Sequence, residues 1–451
     1  MKQRPLPPDP GWPRVKEQVA ETIEVWTRCG AGSAPRLPQF SSREQRGRED
    51  AYDRALGAVE REARRRPRNR LERRQVQGRV VAEFSRFATI ALGLEDQAVE
   101  LLTSGFLPIG VRLARWAKRF DPSLGMADTV QACRNAWTAC GLQPLLGDAI
   151  EISRSILGYS LLYPYSDNYL DRSEVSQADK LRFSARFRER LSGGTLSPCN
   201  SREAGIWAMV QLIEEQYPRL RYPQVFDCLL AIHQAQETSI RQLNSCARCD
   251  DSDVLGISCA KGGTSVLADA CLSHGSLDDE EARFAFQWGV LLQLGDDLQD
   301  VREDLRSGSE TLFSMAVSRG EPLDNLVLQL LRFSEQVAVS MDALPNGTAM
   351  YKGLLRMSWR SLILEAAANA HESFTAGFVA ELERFSPFRF GFLRARHERV
   401  AGRQGLYALL FESFVDDDDN APDGLPLPED YGAPSPSSEF GLEEGRGCKR
   451  L

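Results

Sequence analysis

Apolar residues recur at three- and four-residue spacing through most of the chain, and this periodicity constrains the fold more than any other feature. The clearest segments are 83–102, 128–142, 146–163, 224–243, 280–301 and 354–378. Such spacing is typical of helices that bury one face against a core. Alternating β-branched runs are nearly absent, and the breaks between segments contain Pro, Gly, Asn or Ser. The sequence therefore predicts an all-α protein built as a single large helical bundle.

Composition divides the 451 residues into four parts. We expect a flexible, proline-rich leader over 1–45, a basic helical segment over 46–79, one helical domain over 80–412 and an acidic disordered tail over 416–451. The tail contains ten acidic and three basic residues, a net charge of −7, against −8 for the whole chain. The arginine run at 61–79 lacks the interleaved aromatic residues of a base-stacking surface. It predicts a solvated helix face or linker, and no nucleic-acid partner.

The sequence gives little indication of a transmembrane helix, a signal peptide or a zinc site. The chain contains no run of about 18 uncharged apolar residues that would predict a transmembrane helix, and its first residues lack an apolar signal core. The ten cysteines include one Cys246-x-x-Cys249 pair without a second pair to complete a zinc site. We therefore expect a cytoplasmic protein with reduced thiols.

Two acidic clusters follow apolar helical segments. The first is Asp167-Asn168-Tyr169-Leu170-Asp171, in which two aspartates are four residues apart and face the same way on a helix. The second runs from Asp296 to Asp304, with aspartates at 296, 297, 300 and 304. Three of these are spaced i, i+4 and i+8, so the second cluster occupies one side of its helix.

Stacked carboxylates repel one another and are costly next to a core unless a cation compensates them. Mg²⁺ takes oxygen ligands and commonly binds through a few carboxylates together with substrate phosphates. The structural alternative is an exposed acidic helix end whose charge is softened by Arg302 and Arg306. Two such clusters, each at the end of an apolar helix, favour metal sites.

The chain resembles the class I isoprenoid synthases, which include terpene cyclases, trans-polyprenyl diphosphate synthases and squalene/phytoene synthases. The resemblance covers about residues 85–320. It depends on Lys261-Gly262-Gly263-Thr264, on Gly289 to Leu294 ahead of the second acidic cluster, and on the DxxxD pattern of Asp167 and Asp171. It implies the class I terpenoid synthase fold for residues 80–412.

Two features depart from the chain-elongating members of that group. Asn168 replaces the second aspartate of their first motif, and the upstream Gly-Lys-Arg segment that holds a second diphosphate is not found. The tyrosine-rich signature of phytoene synthases is also not evident. By elimination, the resemblance implies terpene cyclisation.

The resemblance also implies roles for particular residues. The residues implied as metal ligands are Asp167, Asp171, Asp296, Asp297, Asp300 and Asp304. The residues implied in diphosphate binding are Arg241, Lys261 and Arg302, and those implied in catalysis are Asp167, Asp171, Asp296, Asp300 and Arg241. Arg241 also lies on one helix face with His233 and Glu237, so a surface ion pair to Glu237 is the alternative.

The implied reaction is ionisation of a linear prenyl diphosphate with release of diphosphate and formation of a cyclic terpene. The implied cofactor is Mg²⁺, as three ions with bound diphosphate, with Mn²⁺ as a substitute. A squalene/phytoene-type head-to-head coupling enzyme and a non-catalytic helical protein of the same fold stay open as alternatives, as does a homodimer.

Overall fold

In this computed structural model the described residues are 12–32, 35–170, 175–242 and 251–415, together with 425 and 431. Within these ranges the regular structure is helical and contains no strand, so the all-α prediction is confirmed. Asp171, the Cys246/Cys249 pair and Asp416 to Asp419 lie outside the described residues, as do the side chains of Asp167 and Arg241.

The α-helices follow one another in chain order. Their bounds are α1 Val15–Gly30, α2 Ser42–Ala63, α3 Arg70–Phe87, α4 Asp96–Glu100, α5 Leu107–Phe120, α6 Met126–Leu142, α7 Arg154–Leu170, α8 Gln177–Leu191, α9 Ser201–Gln216, α10 Pro223–Gln242, α11 Asp251–His274, α12 Asp279–Gln299, α13 Val301–Ser307, α14 Leu312–Ser318, α15 Asp324–Ala343, α16 Ala349–Asn369, α17 Ala376–Glu383, α18 Phe390–Ala401 and α19 Gln404–Val415. Two π-helical segments, Ala88–Leu92 and Leu101–Phe106, flank α4, and a short 3-10 turn, His371–Ser373, precedes α17.

Helix α11 is the centre of the bundle, because α1, α6, α7, α10, α12 and α14 all pack against it. It turns into α12 at Gly275, whose positive φ of 93° favours glycine. Asp278 then caps α12 by accepting the backbone N–H groups of Glu280 and Glu281, and the Glu281 carboxylate accepts the N–H of Asp278 in return. The two central helices are therefore joined by a tight, fully capped turn.

Three glycines let α11 and α12 touch backbone to backbone. A Cβ added at Gly289 would lie 2.1 Å from the carbonyl oxygen of Gly262. One added at Gly262 would lie 2.4 Å from the Cβ of Gln293, and one at Gly263 would lie 2.4 Å from the ring of Phe286. No side chain fits at distances this short, so the three glycines set the distance between α11 and α12 at this point. We call this contact the glycine seam.

The expected flexible leader is wrong for residues 15–30. These residues form α1, which packs against α11, α12 and α15. Trp26 and Cys29 are buried in the main core, and Trp26 meets Phe333 edge to face with 5.8 Å between ring centroids. The prediction followed the proline-rich composition of the first residues and overlooked an amphipathic segment after them that is long enough to bury one face of a helix.

Residues 46–79 do not form a separate basic segment either. They belong to α2 and α3, which break at 64–69 and pack against the last helices of the chain. The buried Glu49 carboxylate pairs with Arg389, and Tyr52 lies among the rings of Phe87, Phe388 and Phe392. Buried acidic residues of α2 thus pair with arginines at and in α18, whereas most arginines of the 61–79 run are exposed.

The expected disordered tail is wrong for Leu425 and Tyr431. Both residues are buried in the main core. Tyr431 Oη donates to Glu215 on α9 (2.5 Å), and its ring lies 6.5 Å from that of Trp116 on α5. An apolar and an aromatic side chain in this acidic sequence thus find a place in the core.

Within the described residues, no helix combines the length and the apolarity needed to cross a membrane.

We predict that Gly289→Ala lowers the free energy of unfolding by about 2 kcal/mol or more, because the added methyl group forces the glycine seam apart. The matched control is Gly256→Ala on α11, where a Cβ meets nothing within 4 Å. That change should raise the free energy of unfolding by up to about 1 kcal/mol, because alanine loses less backbone entropy in a helix. Urea denaturation monitored by circular dichroism measures both. Equal effects of the two changes would contradict the account of the seam.

Candidate functional site

The second acidic cluster lies at the C-terminal end of α12 and continues into α13. Asp300 joins the two helices with φ −92° and ψ 5°, so the predicted single helix is divided at this residue. Its N–H still donates to the Asp296 carbonyl (2.8 Å), and the Asp304 N–H donates to the Asp300 carbonyl (2.9 Å). The predicted i, i+4, i+8 row of Asp296, Asp300 and Asp304 is therefore preserved across the junction. We call these three residues the carboxylate row.

Asp297 lies beside the carboxylate row but faces α11. Its side chain is buried and accepts two hydrogen bonds, from Ser258 Oγ (2.9 Å) and from Gln293 Nε2 (2.8 Å). Burial nevertheless raises the pKa of Asp297 to about 6, because the two hydrogen bonds only partly offset the loss of water around the charge. Asp297 thus anchors the end of α12 to α11.

The negative charge of the carboxylate row is only partly offset by neighbouring positive charges and hydrogen bonds. Burial raises the pKa of Asp296, and the positive charges of Arg134 and Lys261 offset this only in part. Burial also raises the pKa of Asp304, to about 6, although Thr311 Oγ1 lies 3.3 Å from its carboxylate. The neighbouring carboxylate of Asp300 raises both pKa values further. Three carboxylates on one side of a helix, two of them desolvated, therefore repel one another with little compensation.

Lys261 is the predicted diphosphate ligand that the structure brings to this cluster. Its positive charge lowers the pKa of Asp296, Asp297 and Asp304 together. The reason is its position directly before Gly262, since the glycine seam holds this turn of α11 against the end of α12. One ammonium group among several carboxylates leaves the site with a net negative charge.

Arg302 lies elsewhere. Its guanidinium forms an exposed ion pair with Glu372, at 3.0 Å, and the structure does not bring it to the carboxylate row. Arg302 is two residues after Asp300, a rotation of about 200° on a helix. The short spacing in sequence therefore places it on the opposite side of α13.

In the first acidic cluster, Asp167 is described only through its backbone, in the last turn of α7, and Asp171 lies outside the described residues. The start of α7 lies at the far end of α11, where Ser155 Oγ donates to the Leu272 carbonyl (2.7 Å). Asp297 contacts the opposite part of α11, at Ser258. Because α7 packs along α6 and α11, it runs toward the end of the bundle that contains Asp297.

Helix α10 has the same direction. Gln224, near its start, accepts the N–H of Leu277 (2.9 Å), just beyond the end of α11. Position 241 therefore lies near the beginning of α11, in the same half of the bundle as Lys261. On the way, the buried Glu237 accepts a hydrogen bond from Ser184 (2.5 Å) and pairs with Arg188. Glu237 thus has partners on α8, and the alternative of a Glu237–Arg241 pair stays a prediction.

The described residues contain no group of three His, Cys, Asp or Glu side chains placed to hold a metal ion unaided. The oxygen donors present nevertheless fit Mg²⁺, which is commonly bound by one or two carboxylates and completed by water and substrate phosphates. The carboxylate row offers such ligands, and Asp300 is exposed on it. The metal assignment of all six aspartates stays a prediction.

An open groove of about 570 Å³ lies between α1 and α15 and is lined by Arg28, Arg36 and Arg332 among others. It contains none of the predicted site residues.

The functional roles of Ser258, Gln293 and Arg134 were not predicted from the sequence. Gln293 is four residues before Asp297, and Ser258 is three residues before Lys261, so each shares a helix face with a predicted residue. That spacing was an available signal. Arg134 is on α6, and only the packing of α6 against α11 brings its charge near Asp296.

Comparisons of the chain with protein-family models, with curated proteins and with solved structures found no match.

We predict that Asp297→Asn stabilises the metal-free protein above pH 6. The folded-state pKa of Asp297 is raised to about 6, against about 4 in an unfolded chain. The ionised carboxylate therefore costs stability that is absent below pH 4, grows between pH 4 and pH 6 and is complete above pH 6. The expected gain is about 3 kcal/mol at pH 7.5 and near zero at pH 4, measured by urea denaturation in chelator. A gain independent of pH would contradict this.

Proposed function

We propose that this protein is a Mg²⁺-dependent class I terpene synthase, which ionises a linear prenyl diphosphate and releases diphosphate. The observation that carries the proposal is the carboxylate row at the end of α12, desolvated and repelling, with Lys261 beside it. Such a row costs stability in a protein without a bound cation, and a site that costs stability indicates a function. Binding of divalent cations together with a polyanionic ligand would offset this destabilisation.

Charge balance favours a diphosphate as that ligand. The carboxylates attract Mg²⁺, while Lys261 offers a fixed positive charge that a metal ion alone would not need. A ligand that bears phosphate oxygens satisfies both, because it completes the metal shell and accepts hydrogen bonds from the ammonium group. The directions of α7 and α10 support this, since they carry positions 167 and 241 toward the same half of the bundle.

Each residue then has a defined role. Asp296, Asp300 and Asp304 would hold the cations, and the sequence resemblance implies the same role for Asp167 and Asp171. Mg²⁺ held by these residues would supply Lewis-acid stabilisation of the charge on the leaving diphosphate.

Lys261 and Arg241 bind the diphosphate oxygens, and Asp297 fixes the end of α12 through Ser258 and Gln293. Phe284 and Trp288, which precede the carboxylate row on α12, are buried in the apolar core. Apolar and aromatic surroundings of this kind would suit the isoprenoid chain of the substrate and exclude water from its cation.

We predict that the purified protein releases diphosphate and forms hydrocarbon from at least one of geranyl, farnesyl, geranylgeranyl and geranylfarnesyl diphosphate in the presence of Mg²⁺. Asp296→Asn/Asp300→Asn should lower kcat/KM at least 100-fold, because two of the predicted metal ligands lose their charge. Gas chromatography with mass spectrometry identifies the products, and a phosphate assay measures the released diphosphate.

The matched control is Glu303→Gln on α13, which removes an acid from the same segment. Glu303 is exposed and pairs with Arg306, so its loss should change kcat/KM less than twofold. A product of doubled chain length would transfer the enzyme to the head-to-head coupling class. Absence of diphosphate release from every substrate, or equal loss in both variants, would refute the proposed function.

A further inference from the structure

The open groove between α1 and α15 is a concave feature that the proposed function does not use. Its volume of about 570 Å³ falls in the range of pockets that bind small molecules. Arginines line it from three parts of the chain: Arg28 in the last turn of α1, Arg36 in the connection after α1, and Arg332 on α15. The groove therefore concentrates positive charge on a chain whose net charge is −8.

The groove lining also contains an acid, Glu335 on α15, but its charge is matched from outside the groove. The Glu335 carboxylate accepts hydrogen bonds from Nη2 (2.8 Å) and Nε (3.1 Å) of Arg360 on α16. Arg28 and Arg36 are exposed, and neither forms an ion pair with another residue in the part of the chain that the structure describes. Their guanidinium groups are thus available to an anion from solution.

The end of α1 holds Arg332 in position. Arg332 Nη1 donates to the Cys29 carbonyl (2.5 Å), one of the carbonyl groups that a helix leaves unpaired at its C-terminus. Gly32 lets the chain pass close to the stem of Arg332, because a Cβ at position 32 would lie 2.9 Å from Arg332 Cδ. The guanidinium also offsets the negative partial charge at the end of α1, which would otherwise repel an anion.

The Cys29 thiol lies close to two of these arginines. The thiol is buried, and burial raises its pKa, although the positive charges of Arg332 and Arg28 act in the opposite direction. A thiol whose pKa is raised is a poor nucleophile near neutral pH. Val25 and Pro35 form an apolar part of the same lining. These surroundings suit binding of a ligand and not covalent chemistry on it.

We propose that the groove between α1 and α15 is a binding site for a diphosphate group, either free or carried by a small organic molecule. Arg28 and Arg36 bind the phosphate oxygens, because planar guanidinium groups form paired hydrogen bonds with them. Arg332 adds a third positive charge, which favours a ligand with several negative charges over a monoanion. Val25 and Pro35 offer an apolar surface to an organic carrier. No predicted catalytic residue lines the groove, so binding here does not depend on the proposed function.

Calorimetric titration of the full chain with ADP and with inorganic diphosphate, in chelator and at low salt, tests the proposal. Chelator removes divalent cations, so the carboxylate row cannot bind either probe through a metal ion. We expect a Kd below about 1 mM for at least one probe. Arg28→Gln/Arg36→Gln should weaken binding at least about tenfold, because two charge-assisted contacts are lost. Gln336→Glu, which adds negative charge to the lining, should also weaken it.

The matched control is Arg86→Gln/Arg182→Gln, which removes the same net charge outside the groove. Both arginines are exposed, and each pairs with an acid three residues earlier on its own helix. This variant should leave the Kd within about twofold of the unmodified protein. Unchanged melting temperatures show that each variant is folded.

The two probes distinguish the sources of the diphosphate group. Tighter binding of ADP assigns the groove to an organic carrier, and equal or tighter binding of inorganic diphosphate assigns it to the free anion. Absence of binding of both probes up to about 1 mM, or equal weakening in the control variant, would overturn the proposal. Binding of the protein to phosphatidylserine vesicles through Arg28 and Arg36, without binding of either probe, would also overturn it, since the arginines would then serve a membrane surface.

Discussion

The backbone contact between α11 and α12 is the constraint on which the candidate site depends. Gly262 and Gly289 allow the two helices to approach until a carbonyl oxygen of one meets the Cα of the other. Only at this spacing does the turn of α11 that contains Ser258 and Lys261 reach the carboxylates at the end of α12. The glycines therefore affect the candidate site through the distance between α11 and α12, because a larger residue would separate Lys261 from the carboxylates.

Much of the fold and part of the site follow from the sequence. The helical periodicity predicted the bundle, and the i, i+4, i+8 spacing predicted the carboxylate row, because both depend on local helix geometry. Long-range pairing could not be predicted in this way. The ion pair of Arg302 with Glu372, the burial of Trp26 and the return of Tyr431 to the core all join residues distant in sequence. The amino-acid composition led to wrong predictions near both ends of the chain, because a few apolar residues in a polar segment decide whether that segment packs against the core.

The structure shows an energetic conflict at the end of α12. Asp296, Asp297 and Asp304 all have raised pKa values because burial penalises their charge, and Lys261 relieves this only in part. A protein selected for stability alone would place neutral residues here. In the function proposed here, divalent cations and a polyanion would relieve this conflict, which connects the cost in the folded chain with the proposed ionisation chemistry.

Calorimetric titration of Mg²⁺ into the protein, with and without inorganic diphosphate, tests this central claim most directly. The account predicts weak binding of Mg²⁺ alone and binding at least tenfold tighter when diphosphate is present, because phosphate oxygens complete the metal shell. Asp296→Asn should abolish the enhancement. Equal affinity with and without diphosphate, or an enhancement that survives Asp296→Asn, would contradict the account.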